Sequence, residues 1–310
     1  MRVLAISLVA VQFLLAGCGD AFESEAEGTS AAELEAAVID WRERRFDRLT
    51  EPYGWLSLVG LDFVDDGVWR VGSDDDMDIV MPTGPGHWGD LHVEAGVAEF
   101  EPAPGSDVQV DGHGVERARL HPADGDDPVL VSADTVRFQI ISRDGALAVR
   151  TRWPEAEPRS GFVGLEYFDF DPDWVIEADF EYHEPGTTIP IASVLGDLLD
   201  EPNLGRAVFD IGERRFSLEA VGDENDEELF IIFADRTSGR ETYGLGRFLY
   251  ADQPVEGRIT LDFNRAYNPP CAFNEFTTCP LPPPENRLDI RVEAGELAYQ
   301  GPGGWQPGDP

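Results

Sequence analysis

From Pro52 onwards the hydrophobic positions fall into short runs: "WLSLVGLDFV", "GVWRVG", "DIVMP", "DLHVEAG" and "VRFQIISRDGALAVRTRW". Apolar and polar residues alternate within them, which is the period of a half-buried strand. Asp65-Asp66-Gly67 and Asp144-Gly145 stand between runs as hairpin turns. No segment of helical period interrupts the series, so 51–155 is expected to form an antiparallel β-sandwich. A second series, "VIEADFEYH", "RAVFDIGERRFSLEAVG", "ELFIIFADRTSGRETYGLGRFLYAD" and "GRITLDFN", predicts an antiparallel β-barrel or second sandwich over 156–300. The boundary is placed near Trp153 to Gly161, where Pro154 and Pro158 break the pattern. Only the stretch before Pro52 has a helical period. Ser30 and Glu33 make a capping box, and Leu34, Ala37, Val38, Trp41 and Leu49 recur on one face, predicting an amphipathic helix over 31–50. The expected fold is mainly β, with a short N-terminal helix.

The segment "FNRAYNPPCAFNEFTTCPLPPPENRL", 263–288, begins like a strand and then loses all period. Pro269 and Pro270 remove amide donors and end the ladder there. Cys271 and Cys279 are eight positions apart, and an exported chain would join them in a disulfide; two free thiols are the alternative. "PLPPPENRL" reads as an extended strap, with the chain re-entering a strand at Leu288.

The first 17 residues carry Arg2 and an apolar run from Val3 to Ala16, the pattern of an export signal and too short to prefer a spanning helix. Leu15-Ala16-Gly17-Cys18 resembles the bacterial lipobox. That resemblance implies cleavage before Cys18, acylation of its thiol and amine, and a membrane partner reached through lipid. Residues 18–30 then form an acidic tether and 301–310 a tail. The expected location is the cell envelope, lipid-anchored, facing the periplasm or the exterior.

All 23 basic residues are arginine, and 61 acidic residues give a formal charge of -38. Such a charge repels phosphate backbones and argues against a nucleic-acid partner. The composition also resembles that of proteins adapted to high salt, in which screening makes self-repulsion tolerable.

Two family resemblances follow from particular blocks. "VWRVGSDDDMDIVMP" is similar to the start of forkhead-associated domains, but Ser73 and Met77 replace that pattern's arginine and asparagine, so only strand topology is carried over. "EPYGWLSLVGLDFV", "GVWRVGSD", "GLEYFDFDPDW", "FADRTSGRETYGLGRFLYA" and "DFNRAYNPPCAF" with "CPLPPPENRL" together resemble the bacterial and archaeal domain of unknown function 1684, from about Val38 to Tyr299. The resemblance implies one continuous unit and no particular reaction.

Candidate chemistry is uneven. "DDDMD" fails as a calcium loop, since Ile79 stands where glycine is needed and Pro85 where a glutamate is needed. Asp90, His92 and Glu94 offer metal-ligand types on one strand face, with His87 in the preceding turn, although a solvated face explains them as well. No Gly-x-Ser-x-Gly elbow occurs. The richest cluster surrounds the "TSG" turn, with Arg236, Arg240, Glu241, Tyr243, Arg247 and Tyr250, and the following segment adds Asp262, Asn264, Arg265, Tyr267 and Asn268. At strand period Glu241, Tyr243 and Arg247 share a face, and arginine offers two-point recognition of anions. The leading expectation is binding of a small polar or anionic ligand in the second β region at Arg240, Glu241, Tyr243, Arg247, Asn264, Arg265 and Asn268, with no cofactor implied. A metal-dependent or general acid-base hydrolase, and a structural or protein-interaction module, are the alternatives. Self-repulsion of the acidic surface predicts a melting temperature that rises from low to molar salt; a flat profile in a salt series would refute the high-salt reading.

Overall fold

The computed structural model describes residues 29–304 apart from 123–127 and 144. The leader 1–17, Cys18, most of the tether, Asp144 of the second expected turn and residues 305–310 lie outside the described residues. Helix α1 (Ala31–Thr50) starts at the capping box: Ser30 Oγ accepts from Glu33 N at 3.3 Å, and Glu33 Oε2 accepts from Ser30 N at 2.8 Å. Glu51 caps the end of α1 with ψ 142, and Pro52 next to it disfavours helical backbone at Glu51. The buried stripe of α1 is Val38, Arg45 and Leu49, so a charged residue occupies a position of the inward face.

The first β region contains β1 (Leu58–Val64), β2 (Gly67–Gly72), β3 (Ile79–Val80), β4 (Gly89–Glu94), β5 (Val97–Pro102), β6 (Gln109–Val110), β7 (Ala118–Leu120), β8 (Val131–Ala133), β9 (Val136–Arg143) and β10 (Ala146–Arg152). They form two sheets, in the orders β1-β10-β9-β8-β6 and β3-β2-β4-β5-β7. Leu91 and Phe100 from one sheet meet Phe138, Ile140 and Val149 from the other around the fully buried Trp88. Every pairing is antiparallel except that of β2 with the two-residue β3. This is the expected sandwich.

The second region contains β11 (Val175–Tyr182), β12 (Thr188–Ala192), β13 (Leu198–Ile211), β14 (Arg214–Val221), β15 (Glu228–Phe233), β16 (Arg247–Asp252) and β17 (Arg258–Asp262). Their order is β16-β15-β14-β13-β11-β17, with β12 paired to the long β13. The two ends of this sheet meet. Phe248 in β16 and Tyr267, just beyond β17, exchange both backbone hydrogen bonds at 2.9 Å each. The result is a nearly closed, barrel-like antiparallel sheet around Phe209, Leu218, Ile231, Phe233, Leu261 and Phe263, which removes the exposed edges that an open sheet would leave.

The proline-rich segment completes this barrel. Cys271 and Cys279 form a disulfide with a Cα separation of 6.1 Å. Val194 N donates to Cys279 O and Leu281 N to Ala192 O, so the strap binds the β12 hairpin. Strands β14 and β15 pair only at Val221 and Phe230 and then part. The side chain of Asn286 enters the gap: its Oδ1 accepts from Glu219 N at 2.7 Å, and its Nδ2 donates to Glu219 O and Ile232 O at 2.9 Å each. Beyond it Ala234 N donates to Asn286 O and Leu288 N to Ala234 O. The expected strand at Leu288 is absent; one parallel bridge between Ala234 and Arg287 stands there, because a single backbone turn suffices to fill the gap. Asn286→Ala leaves three buried or part-buried backbone groups without partners and should cost about 3 kcal/mol of unfolding free energy, measurable by urea titration.

Candidate functional site

The residues singled out from the sequence do not share one face. Strand structure begins only at Arg247, and residues 237–246 are a run of turns in which the amides of Arg240, Glu241 and Thr242 all point to Thr237 O. The period of two therefore does not apply before Arg247, and the expected common face of Glu241, Tyr243 and Arg247 does not form. Arg240 and Glu241 are exposed, and Glu241 pairs with Arg291 at 2.9 Å, which holds its carboxyl below the usual range. Tyr243 is buried among Leu49, Leu56, Phe273 and Tyr299, and burial pushes its phenol up to about 12.

Arg247 is wholly buried against Asp235 at 3.4 Å. It donates to Val292 O at 3.0 Å and also to Ala294 O. Asp235 in turn accepts from Val292 N and from the amide and hydroxyl of Thr237. Asn264 bridges the backbone of Asp171 and the carboxylate of Asp262, and Arg265 pairs with Asp262 at 3.0 Å. Asn268 donates its side-chain amide to Leu297 O. Arg247 and Asn268 thus hold the segment 292–297 in place, Asn264 ties the turn after β17 to the loop before β11, and none of the three presents surface to a ligand.

A neighbouring network was not legible from the sequence. Arg45, in the inward stripe of α1, donates through Nε to Glu296 at 3.0 Å and through Nη2 to Asn268 O at 2.9 Å. The second oxygen of Glu296 accepts from Asn268 N at 2.8 Å, and Glu296 is fully buried. The Arg45 guanidinium also lies 4.6 Å from the centre of the Tyr267 ring. This clamp fixes helix α1 to the point at which the barrel closes. The signal available in the sequence was the i, i+3/i+4 spacing of Val38, Trp41, Arg45 and Leu49.

Between α1 and the barrel wall the clamp leaves a cavity of about 520 Å³. Helix α1 supplies Trp41, Arg45 and Arg48; the following turn supplies Glu51 and Trp55. The barrel supplies Glu228, Phe230, Phe248, Tyr250 and Tyr267. The rings form a continuous wall: Phe230 stacks on Tyr250 at 4.9 Å, Tyr250 on Tyr267 at 6.3 Å, and Trp41 tilts against Tyr267 at 6.1 Å. Burial raises the pKa of both tyrosines, so they remain neutral and able to donate hydrogen bonds at physiological pH. Among the described residues Arg48, at the mouth, forms no ion pair. Tyr250 and Tyr267 are thus the members of the sequence cluster that reach a cavity.

Elsewhere the chemistry is dispersed. His87 pairs with Asp90 at 3.0 Å and His92 with Glu101 at 3.8 Å, and among the described residues no three His, Cys, Asp or Glu side chains group to hold a metal ion. Asp76 and Asp78 of the acidic turn are engaged by Arg70. A second cavity, of about 590 Å³, is lined by His183, which meets Glu219 at 2.7 Å. Among the described residues no helix is long and apolar enough to cross a membrane.

The architecture is a mainly β protein in which a sandwich and a nearly closed barrel carry a helix-covered aromatic cavity. Within that class the chain belongs to the family described as "Protein of unknown function (DUF1684)", whose family model matches residues 160–297. The match takes in the barrel, the strap and Glu296, whereas α1 and the sandwich lie before it. The chain is also similar to an uncharacterized protein from Haloarcula marismortui solved by solution NMR, at 36% identity, covering 44% of this chain and 77% of that one with a TM-score of 0.37. No curated protein matches.

Removing one member of the buried ion pair leaves an uncompensated charge, so Asp235→Ala should cost about 3–5 kcal/mol, while the double change Asp235→Ala with Arg247→Met should recover part of that loss in the same denaturation assay.

Proposed function

We propose that this protein is an envelope lipoprotein that binds a small ligand with a flat apolar body and an anionic group in the cavity between α1 and the barrel. The observation that carries the reading is the pairing of a continuous aromatic wall with an arginine at the mouth that has no ion-pair partner among the described residues. Stacking on such rings contributes roughly 0.5–1.5 kcal/mol per contact, and a guanidinium adds two-point recognition of a carboxylate. Glu51 and Glu228 at the rim offer acceptors for hydroxyl or amine groups of the same ligand. Small molecules are favoured over polymers because the space is a few hundred cubic ångströms. The membrane attachment rests on Leu15-Ala16-Gly17-Cys18, and the disulfide agrees with an oxidising compartment.

Trp41 and Trp55 line the cavity, so benzoate and 4-hydroxybenzoate should quench or shift the intrinsic fluorescence in a saturable way. Arg48→Ala is expected to weaken that binding at least tenfold, about 1.4 kcal/mol, and Tyr250→Ala by a comparable factor. An unchanged affinity in Arg48→Ala would remove the assignment. For the anchor, Cys18→Ser should move the protein from the membrane fraction to the soluble fraction.

A further inference from the structure

Strands β9 and β10 carry arginines in alternate positions of one sheet face. The register sets Arg152 opposite Arg137 and Arg150 opposite Gln139, with Arg143 further along the same alternate row of β9. Residues directly across an antiparallel pair project to the same side. Phe138, Ile140 and Val149 fill the sandwich core on the other side, so the arginines leave the sandwich towards Trp55 and the strap. Arg143 Nε donates to Thr278 Oγ1 at 2.8 Å, and the Arg150 guanidinium lies 6.0 Å from the centre of the Trp55 ring.

Arg150 is the anomaly of this face. It is 5% exposed, its Nε is buried without an acceptor, and its terminal nitrogens donate to no described residue. Burial, with the like charges of Arg143 and Arg152, pulls its pKa down to about 10, which leaves it a cation at neutral pH. Arg152 meets only the neutral Gln139, at 3.1 Å, and the Arg137 guanidinium lies over the Tyr53 ring, 3.4 Å from its centre. Among the described residues no carboxylate pairs with any of the four. The chain has 61 acidic residues for 23 basic ones, so a shortage of partners does not explain the omission.

We propose that Arg150, with Arg143 and Arg152, holds a compact oxyanion between the β9–β10 face and the strap, either inorganic phosphate or a small phosphate monoester. A carboxylate would offset one of these charges, whereas a phosphate brings up to two and three acceptor oxygens that match the planar guanidinium forks. The burial of Arg150 keeps an extended lipid surface away and selects a small diffusible ligand. The site is separate from the aromatic cavity and stands whether or not that cavity binds an organic anion.

The test is the melting temperature of the protein with inorganic phosphate, ionic strength being held constant with chloride. Millimolar phosphate should raise it by roughly 3 °C. Arg150→Met should abolish at least nine-tenths of the rise, and Arg143→Met, at a less buried position, should shift the half-saturating phosphate concentration at least tenfold. Arg214→Met, which removes an exposed arginine paired with Asp289, should respond as the wild type does. Absence of any rise beyond chloride in the wild type, or a wild-type response in both Arg150→Met and Arg143→Met, would overturn the proposal.

Discussion

Arg247 and Asp235 face each other without solvent at the end of the barrel, and the last third of the chain is arranged so that this pair is tolerable. Taking both charges out of water costs several kcal/mol per ion, which their mutual attraction offsets only when the remaining donors and acceptors are also satisfied. Here most of them are: Asp235 collects Val292 N and the Thr237 amide and hydroxyl, and Arg247 reaches Val292 O and Ala294 O, while its Nε has no partner among the described residues. The pair therefore fixes two stretches of irregular backbone at once. Two residues past Ala294 comes Glu296, which grips Arg45 of the helix and the amide of Asn268. Asn268 follows Tyr267, whose backbone closes the sheet against Phe248, the neighbour of Arg247 in sequence. The ionic centre, the barrel seam and the covering helix are one connected arrangement, and the aromatic cavity is the space it leaves open.

Much of the fold was readable because its signals were local. The capping box and the stripe through Val38 and Leu49 give α1, and alternation bounded by Gly, Pro and Asp gives the strands. The nearly closed barrel was one of two options for the second region; the choice between them rests on a single long-range backbone pair, which no local pattern encodes. The expected common face of Glu241, Tyr243 and Arg247 failed to form for a definite reason. A period of two was extended through 241–249, but Gly246 has φ +103 and the preceding residues fold around Thr237, so the strand that would have aligned the side chains begins at the last of them. Arginine chemistry misled in the same way: residue type suggested a ligand contact at Arg247, whereas burial makes it a structural ion. Arg45 and Arg150 show the converse, since one sits in a helical stripe and the other in a strand, and their surroundings depend on elements more than 80 residues away.

Few of the arginines in this acidic chain are incidental. Those at the surface commonly neutralise a single neighbour, as Arg206 does with Glu181 and Arg215 with Asp210. Such exposed pairs contribute little to stability, roughly 0–1 kcal/mol each. The informative arginines are those whose surroundings depart from this habit: the clamp at Arg45, the buried partner of Asp235, the open cation at Arg48 and the unaccompanied group around Arg150.

The side chain of Asn286 takes the place of backbone between two strands that precede it by 54 and 67 residues. A barrel with such a gap cannot reach its final hydrogen bonding until the strap, which is made after every strand of the barrel, is present. Completion is thereby tied to the strap in time as well as in space. A chain still being synthesised holds the barrel unfinished, and the closing step comes only when the strap arrives.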